Sequence, residues 1–221
     1  KVSLRDDRML ARIAIVDPAL TDHCPRAVTL ASGLDAITQV IEPYVCTRAN
    51  PFTDGLTWPA IEMGLKALMR LMQTEEAQAR DQLAWVSLCG GLALANAGLG
   101  AVHGLAGVIG GVIPAAHGAI CGALLGPVIE INRARATGQS ADRLAEVSVL
   151  LAHTFGCDLE AAPRAFSDWS RHAGLPGLVA QGLAPDQHQA IAEAACVSSS
   201  MKANPAHLTV PELMAVLGQA G

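Results

Sequence analysis

GAVHGLAGVIGGVIPAAHGAICG, residues 100–122, has no charged side chain, seven glycines, one proline and two histidines, His103 and His117. The glycines and Pro114 interrupt a helical pattern. The run therefore reads as a short helix through His103, a break at Gly110-Gly111, and a new helix from near His117. A chain folding back at that break can bring both imidazoles to one point. A lone histidine on an apolar helix is ordinarily a core residue bonded to a carbonyl. Two of them on either side of one hinge read as candidate metal ligands, because neutral imidazole is the commonest metal-binding side chain.

A third, anionic donor is offered by Asp35, within ASGLDAITQVIE. On a largely buried helix a carboxylate is costly unless it is paired or metal-bound. The alternative is a helix-edge carboxylate bonded to backbone amides. Gln39 follows four residues later on the same face, with only a neutral, weak oxygen donor. Gly98, Gly100, Gly104, Gly107, Gly110 and Gly111 allow close approach of a ligand or of another helix.

Around this centre the sequence predicts helices almost throughout. Residues 27–42 run into Pro43, which bends or ends them. Asn50-Pro51 starts a helix reaching about Met72, with a kink at Pro59. Further helices are expected over 75–96, over 141–155 with Ser140 as cap, and at about 158–173 and 185–200. A last helix starts at the capping box Thr209-Val-Pro-Glu212. RIAIVDP (12–18) reads as a buried strand and turn. The one boundary falls near residue 18.

Composition bounds the classes. Half of the 221 residues are hydrophobic but only 3% are aromatic, which suits closely packed helices. A net charge of −5 and the lack of a basic run give no reason to expect nucleic acid. The six cysteines are scattered singly, as in the reduced, mostly buried thiols of a cytosolic protein. No charged residue lies between Asp81 and Glu130, so a membrane hairpin over 82–129 competes with a buried helix pair. The glycine pairs, Pro114, Asn96 and the two histidines favour the buried pair, with no membrane partner. No phosphate-cradling motif is present. Ser198-Ser199-Ser200 reads as a polar helix end. His23, His153, His172, His188 and His207 fall in expectedly exposed places without a role.

RIAIVDPALT, ASGLDAITQVIEPYV, ANPFTDGL, GGLALANAGLGAVHGLAG, PAAHGAICGALLGPVIEIN and SSMKANPAHLT together resemble the iron-containing alcohol dehydrogenase family, in its helical C-terminal domain. The resemblance implies a mostly α bundle of the dehydroquinate synthase-like kind over 19–221. Residues 1–18 would be remnant strands of a nucleotide-binding α/β domain. With no initiator Met, the chain is expected to lack its natural beginning. The implied chemistry is hydride transfer between an alcohol, or its carbonyl, and NAD or NADP, with Fe(II) or Zn(II) as Lewis acid. By motif the implied metal positions are Asp35, Gln39, His103 and His117.

Two departures stand out. Gln39 occupies a position where the family has a histidine ligand, and Gly107 one where many members have a second histidine. A metal-independent branch similar to the maleylacetate reductases is one alternative. The other is a non-catalytic helical module that binds a partner. A homodimer is the expected assembly, and activity is expected to need the nucleotide-binding domain.

Overall fold

The structure, a computed structural model, describes residues 6–9 and 11–221. Nine α-helices lie among them. The first, α1 (Arg26–Val45), is the hub, packed against α2 (Pro51–Leu71), α3 (Ala77–Asn96) and α5 (His117–Arg135). α4 (Ala101–Ile109) lies against α5 and α8 (His188–Cys196). α6 (Gly138–Phe155), α7 (Ala162–His172) and α9 (Val210–Gln219) close the bundle. Leu34, Ile37, Ile41, Ile61, Leu65, Leu68, Leu105, Ile109, Ile120, Leu124, Leu125 and Phe166 are all less than 2% exposed. Burial of each such side chain is worth on the order of 1.5–3 kcal/mol.

α1 does not stop at Pro43 but runs a further two residues through it. Pro43 has no N–H for the Gln39 carbonyl, so the ladder is broken there. The last turn is held from outside instead: Arg143 donates through Nη1 to the Tyr44 carbonyl at 2.8 Å. The same guanidinium grips Asp54 at 2.5 and 2.7 Å and lies over the Tyr44 ring.

α2 begins as its sequence indicates. Asn50 accepts from the Thr53 N–H at 3.2 Å, and Thr53 Oγ1 accepts from the Asn50 N–H at 3.1 Å. Glu212 likewise accepts from the Thr209 N–H at 2.7 Å at the start of α9.

Other boundaries shift. α6 starts at Gly138, with Thr137 rather than Ser140 at its N-cap. α8 ends at Cys196, leaving Ser198–Ser200 in a turn and not at a helix end. The helix expected over 158–173 is a 3₁₀ turn, Leu159–Ala161, followed by α7. His188 is buried at 9% exposure, against the expectation of an exposed side chain.

No strand occurs among the described residues. Residues 11–17 carry no regular structure, and Ile13 and Ile15 are 81% and 86% exposed. The β-branched pattern of RIAIVDP is that of a strand, but a strand needs a neighbour to receive its hydrogen bonds, and among the described residues no strand lies beside it. Residues 1–5 and 10 of the expected remnant-strand segment lie outside the described residues.

The charge-free stretch forms α3, α4 and the front of α5. Among the described residues no single helix is long and apolar enough to cross a membrane. α3 and α4 reach that length only together, across a 98° bend.

Candidate metal centre

Asp35 leaves α1 in its third turn, beside a close approach of α5. Gly118 permits that approach. A Cβ there would stand 2.2 Å from the Ala31 carbonyl oxygen and 3.1 Å from Asp35 Cβ. His117, the first residue of α5, is thereby set beside Asp35, with Nε2 3.9 Å from Oδ1. On the other side His103 brings its Nε2 to 3.4 Å from the same oxygen. The two imidazole centroids are 5.5 Å apart. Three of the four residues singled out in the sequence thus converge on one point.

Gln39, the fourth, is engaged differently. Its Nε2 donates to Asp35 Oδ2 at 3.0 Å. Only the amide nitrogen can meet an ionised carboxylate favourably, so this orientation follows from chemistry. On its other flank Gln39 lies against Gly90 of α3, where a Cβ would come within 2.8 Å of Gln39 Cβ.

Sequence reasoning missed two residues of the cluster. Cys121, one turn after His117 on α5, places Sγ 3.6 Å from His117 Nε2. Donor atoms of Asp35, His103, His117 and Cys121 all lie within 4.8 Å of one another. Glu42, two turns after Asp35 on α1 and 4% exposed, accepts from His103 Nδ1 at 2.7 Å and from the Val102 N–H at 2.7 Å. The signal for both was periodicity: i+4 from a candidate ligand in one case, i+7 in the other.

The N-terminus of α4 is therefore capped by remote side chains. Gly100, its N-cap, offers none. Glu42 takes the Val102 N–H, and Asn204 Oδ1 takes the Ala101 N–H at 2.9 Å. Asn204 is in turn held by Asn132 on α5, with Nδ2 to Oδ1 at 2.8 Å. These bonds satisfy donors that every helix start leaves open, and they also fix where His103 stands.

Electrostatically the cluster is anionic. Burial pushes the Asp35 carboxyl up, but His103 and His117 beside it more than compensate, and its pKa is lowered. Burial pushes the His103 imidazole down, yet Asp35 and Glu42 together raise it to about 9. Two carboxylates around one ring make a place for positive charge.

A cation fits this place. Asp35 Oδ1 and His103 Nε2 are buried and face each other at 3.4 Å as an ion pair, with no better hydrogen-bond partner for either. Such atoms are costly unless something charged completes them. One carboxylate oxygen, imidazole nitrogens and a thiol are donors suited to a divalent transition metal.

The cluster opens on a cavity of about 420 Å³ lined by Leu99, Gly104, Gly107, Val108 and the Ser198–Ser200 turn together with His103 and His117. The serines set aside in the sequence thus face the metal-ligand candidates. A Cβ built on Gly107 would meet nothing within 4 Å, so this wall has room to spare.

Residues 29–221 match the profile described as Fe-containing alcohol dehydrogenase family, C-terminal. The chain belongs to the iron-containing alcohol dehydrogenase family. Its sequence is similar to the long-chain-alcohol dehydrogenase 1 of Geobacillus thermodenitrificans, 41% identical over 137 residues, which are 62% of this chain and 35% of that one. It is also similar to the NAD-dependent methanol dehydrogenase of Bacillus methanolicus, 29% identical over 228 residues, covering 100% of this chain and 58% of that enzyme. Among solved structures it resembles the alcohol dehydrogenase from Oenococcus oeni. The TM-score is 0.81 at 29% identity, over 93% of this chain and 54% of the other. The chain thus spans little more than half the length of such family members.

Proposed function

We propose that this chain supplies the metal-holding part of an NAD(P)-linked alcohol dehydrogenase, with Asp35, His103 and His117 as ligands of iron or zinc. The observation that carries the reading is the convergence of His103 Nε2 and His117 Nε2 on Asp35 Oδ1, at 3.4 and 3.9 Å. Asp35, His103 and His117 would hold a divalent ion that would supply Lewis-acid polarisation of an alcohol or carbonyl oxygen, the hydride being carried by a nicotinamide.

Each residue of the chain has a separable part in this. Glu42 accepts the Nδ1 proton of His103, which leaves Nε2 as the nitrogen that would exchange its proton for a cation shared with Asp35. Gln39 holds Oδ2 of Asp35 and so leaves Oδ1 for the cation. Leu99, Val108 and the glycines line the cavity beside the histidines, and Ser198–Ser200 offer hydroxyls to a polar substrate group. The nucleotide would be held mainly by residues outside this chain.

The test is nicotinamide-dependent alcohol oxidation by the full-length protein, loaded with Fe(II) or Zn(II), beside Asp35→Ala. Lewis-acid stabilisation of several kcal/mol predicts a loss of more than about a hundredfold in Asp35→Ala. Equal activity with and without the carboxylate contradicts the reading.

A further inference from the structure

The resemblance to the family calls for one carboxylate and three imidazoles, and here Gln39 stands in place of one imidazole. Its amide nitrogen is committed to Asp35 Oδ2. The position it leaves has a nearby claimant. Cys121 is fully buried on the α5 face that carries His117, and its Sγ lies 3.6 Å from His117 Nε2. His103 Nε2 lies 3.4 Å from Asp35 Oδ1 and His117 Nε2 3.9 Å from it, and the four donors all fall within 4.8 Å of one another. A tetrahedral zinc ion, with bonds of about 2.0 Å to nitrogen or oxygen and about 2.3 Å to sulfur, holds N and O donors about 3.3 Å apart and N and S donors about 3.5 Å apart.

We propose that the Cys121 thiolate is the fourth protein ligand, making an Asp35–His103–His117–Cys121 site. The inference rests on the metal reading above and changes the donor set of that site. On binding, the S–H bond breaks, its proton passes to solvent, and a sulfur–metal bond forms with no change of oxidation state. The exchange of a nitrogen donor for a soft sulfur donor moves the preference of the site toward zinc and cobalt. It also keeps four protein donors in a chain that has lost one histidine. The site is buried on the sulfur side, so the open face of the metal remains toward the cavity of Gly107 and Ser198–Ser200.

Cobalt(II) titration of the metal-free full-length protein, followed by absorption, tests this directly. The parent is expected to show the near-ultraviolet sulfur-to-cobalt charge-transfer band. Cys121→Ser is expected to lose that band and to bind cobalt at least as much weaker as the 10–100-fold that changes around a ligand cost. Cys157→Ser, away from the cluster, is expected to keep both. If Cys121→Ser does not fold, the band of the parent and its persistence in Cys157→Ser decide the matter. A parent that binds cobalt without the band overturns Cys121 as ligand and leaves Asp35, His103 and His117 standing. A parent that binds no cobalt overturns both readings.

Discussion

Glu42 of α1 and His103 of α4 are joined Oε2 to Nδ1 at 2.7 Å, and the same carboxylate caps the helix that carries the histidine. One side chain therefore sets both the position and the tautomer of the ring. Glu42→Gln keeps size and packing but has one acceptor oxygen for two donors, so either His103 Nδ1–H or the Val102 N–H meets an amide nitrogen. It is expected to lower zinc or cobalt affinity by about 10–100-fold while helix content is retained. Glu42→Ala also strands the buried Val102 N–H and is expected to cost about 1–3 kcal/mol of stability. Equal metal affinity in parent and Glu42→Gln would remove Glu42 from the account.

Gly118 makes a sharper packing prediction. The carbonyl oxygen of Ala31 occupies the place a Cβ would need, and backbone cannot swing aside. Gly118→Ala should push α1 from α5, cost about 1–3 kcal/mol, and carry His117 away from Asp35. Gly107→Ala meets nothing within 4 Å and should be neutral or stabilising by up to about 1 kcal/mol through helix propensity. Thermal melts of the two variants, run beside metal titrations, check the contrast. Equal destabilisation would show that the α1–α5 contact is not the constraint.

Which parts of the centre could be read in the sequence follows from what each residue does. His103, His117 and Asp35 stood out because polar groups in an apolar, glycine-broken run demand an explanation. Cys121 did not, since a buried thiol is an ordinary core residue and only its register with His117 marks it. Glu42 sat before Pro43, where a helix end was expected. Its i+7 register puts it on the face of Asp35, but its partner, the start of α4, returns to α1 only some 60 residues later. The Ser198–Ser200 turn reaches the cavity only through the packing of α8 on α4. The strand reading of RIAIVDP failed for a related reason: alternation states a preference, and pairing needs a neighbour.

The far end of α1 depends on an ion pair. Arg143 is 11% exposed and joins Asp54 at 2.5 Å while it caps the Tyr44 carbonyl. Arg143→Ala leaves both acceptors short of a donor and should cost about 3 kcal/mol, the low end for a broken buried pair because Asp54 keeps some solvent. For a domain of this size that is a fall of roughly 6–12 °C in Tm. A double-mutant cycle with Asp54→Asn should be strongly non-additive. Additive losses would mean that the pair does not act as a unit.

Tyr44 is the chain's one tyrosine, which makes its titration directly visible. Burial, and a hydrogen bond from its hydroxyl to Glu146, raise its pKa well above the ordinary value. With the folded value raised, the stabilisation is fully present below the unfolded pKa of about 10 and is lost as pH rises through the folded value. Ultraviolet titration should show no tyrosinate in the folded protein at a pH where the denatured chain is half ionised. Its appearance near pH 10, before unfolding, would contradict the buried hydrogen bond.

The central claim is that Asp35, His103 and His117 hold a metal, and metal analysis tests it most directly. The protein is purified without chelator, reloaded with Zn(II) or Fe(II), dialysed, and compared with the His103→Ala, His117→Ala double variant. One tightly held ion per chain is expected in the parent and none in the variant. No retained metal in the parent, or equal retention in both, would contradict it.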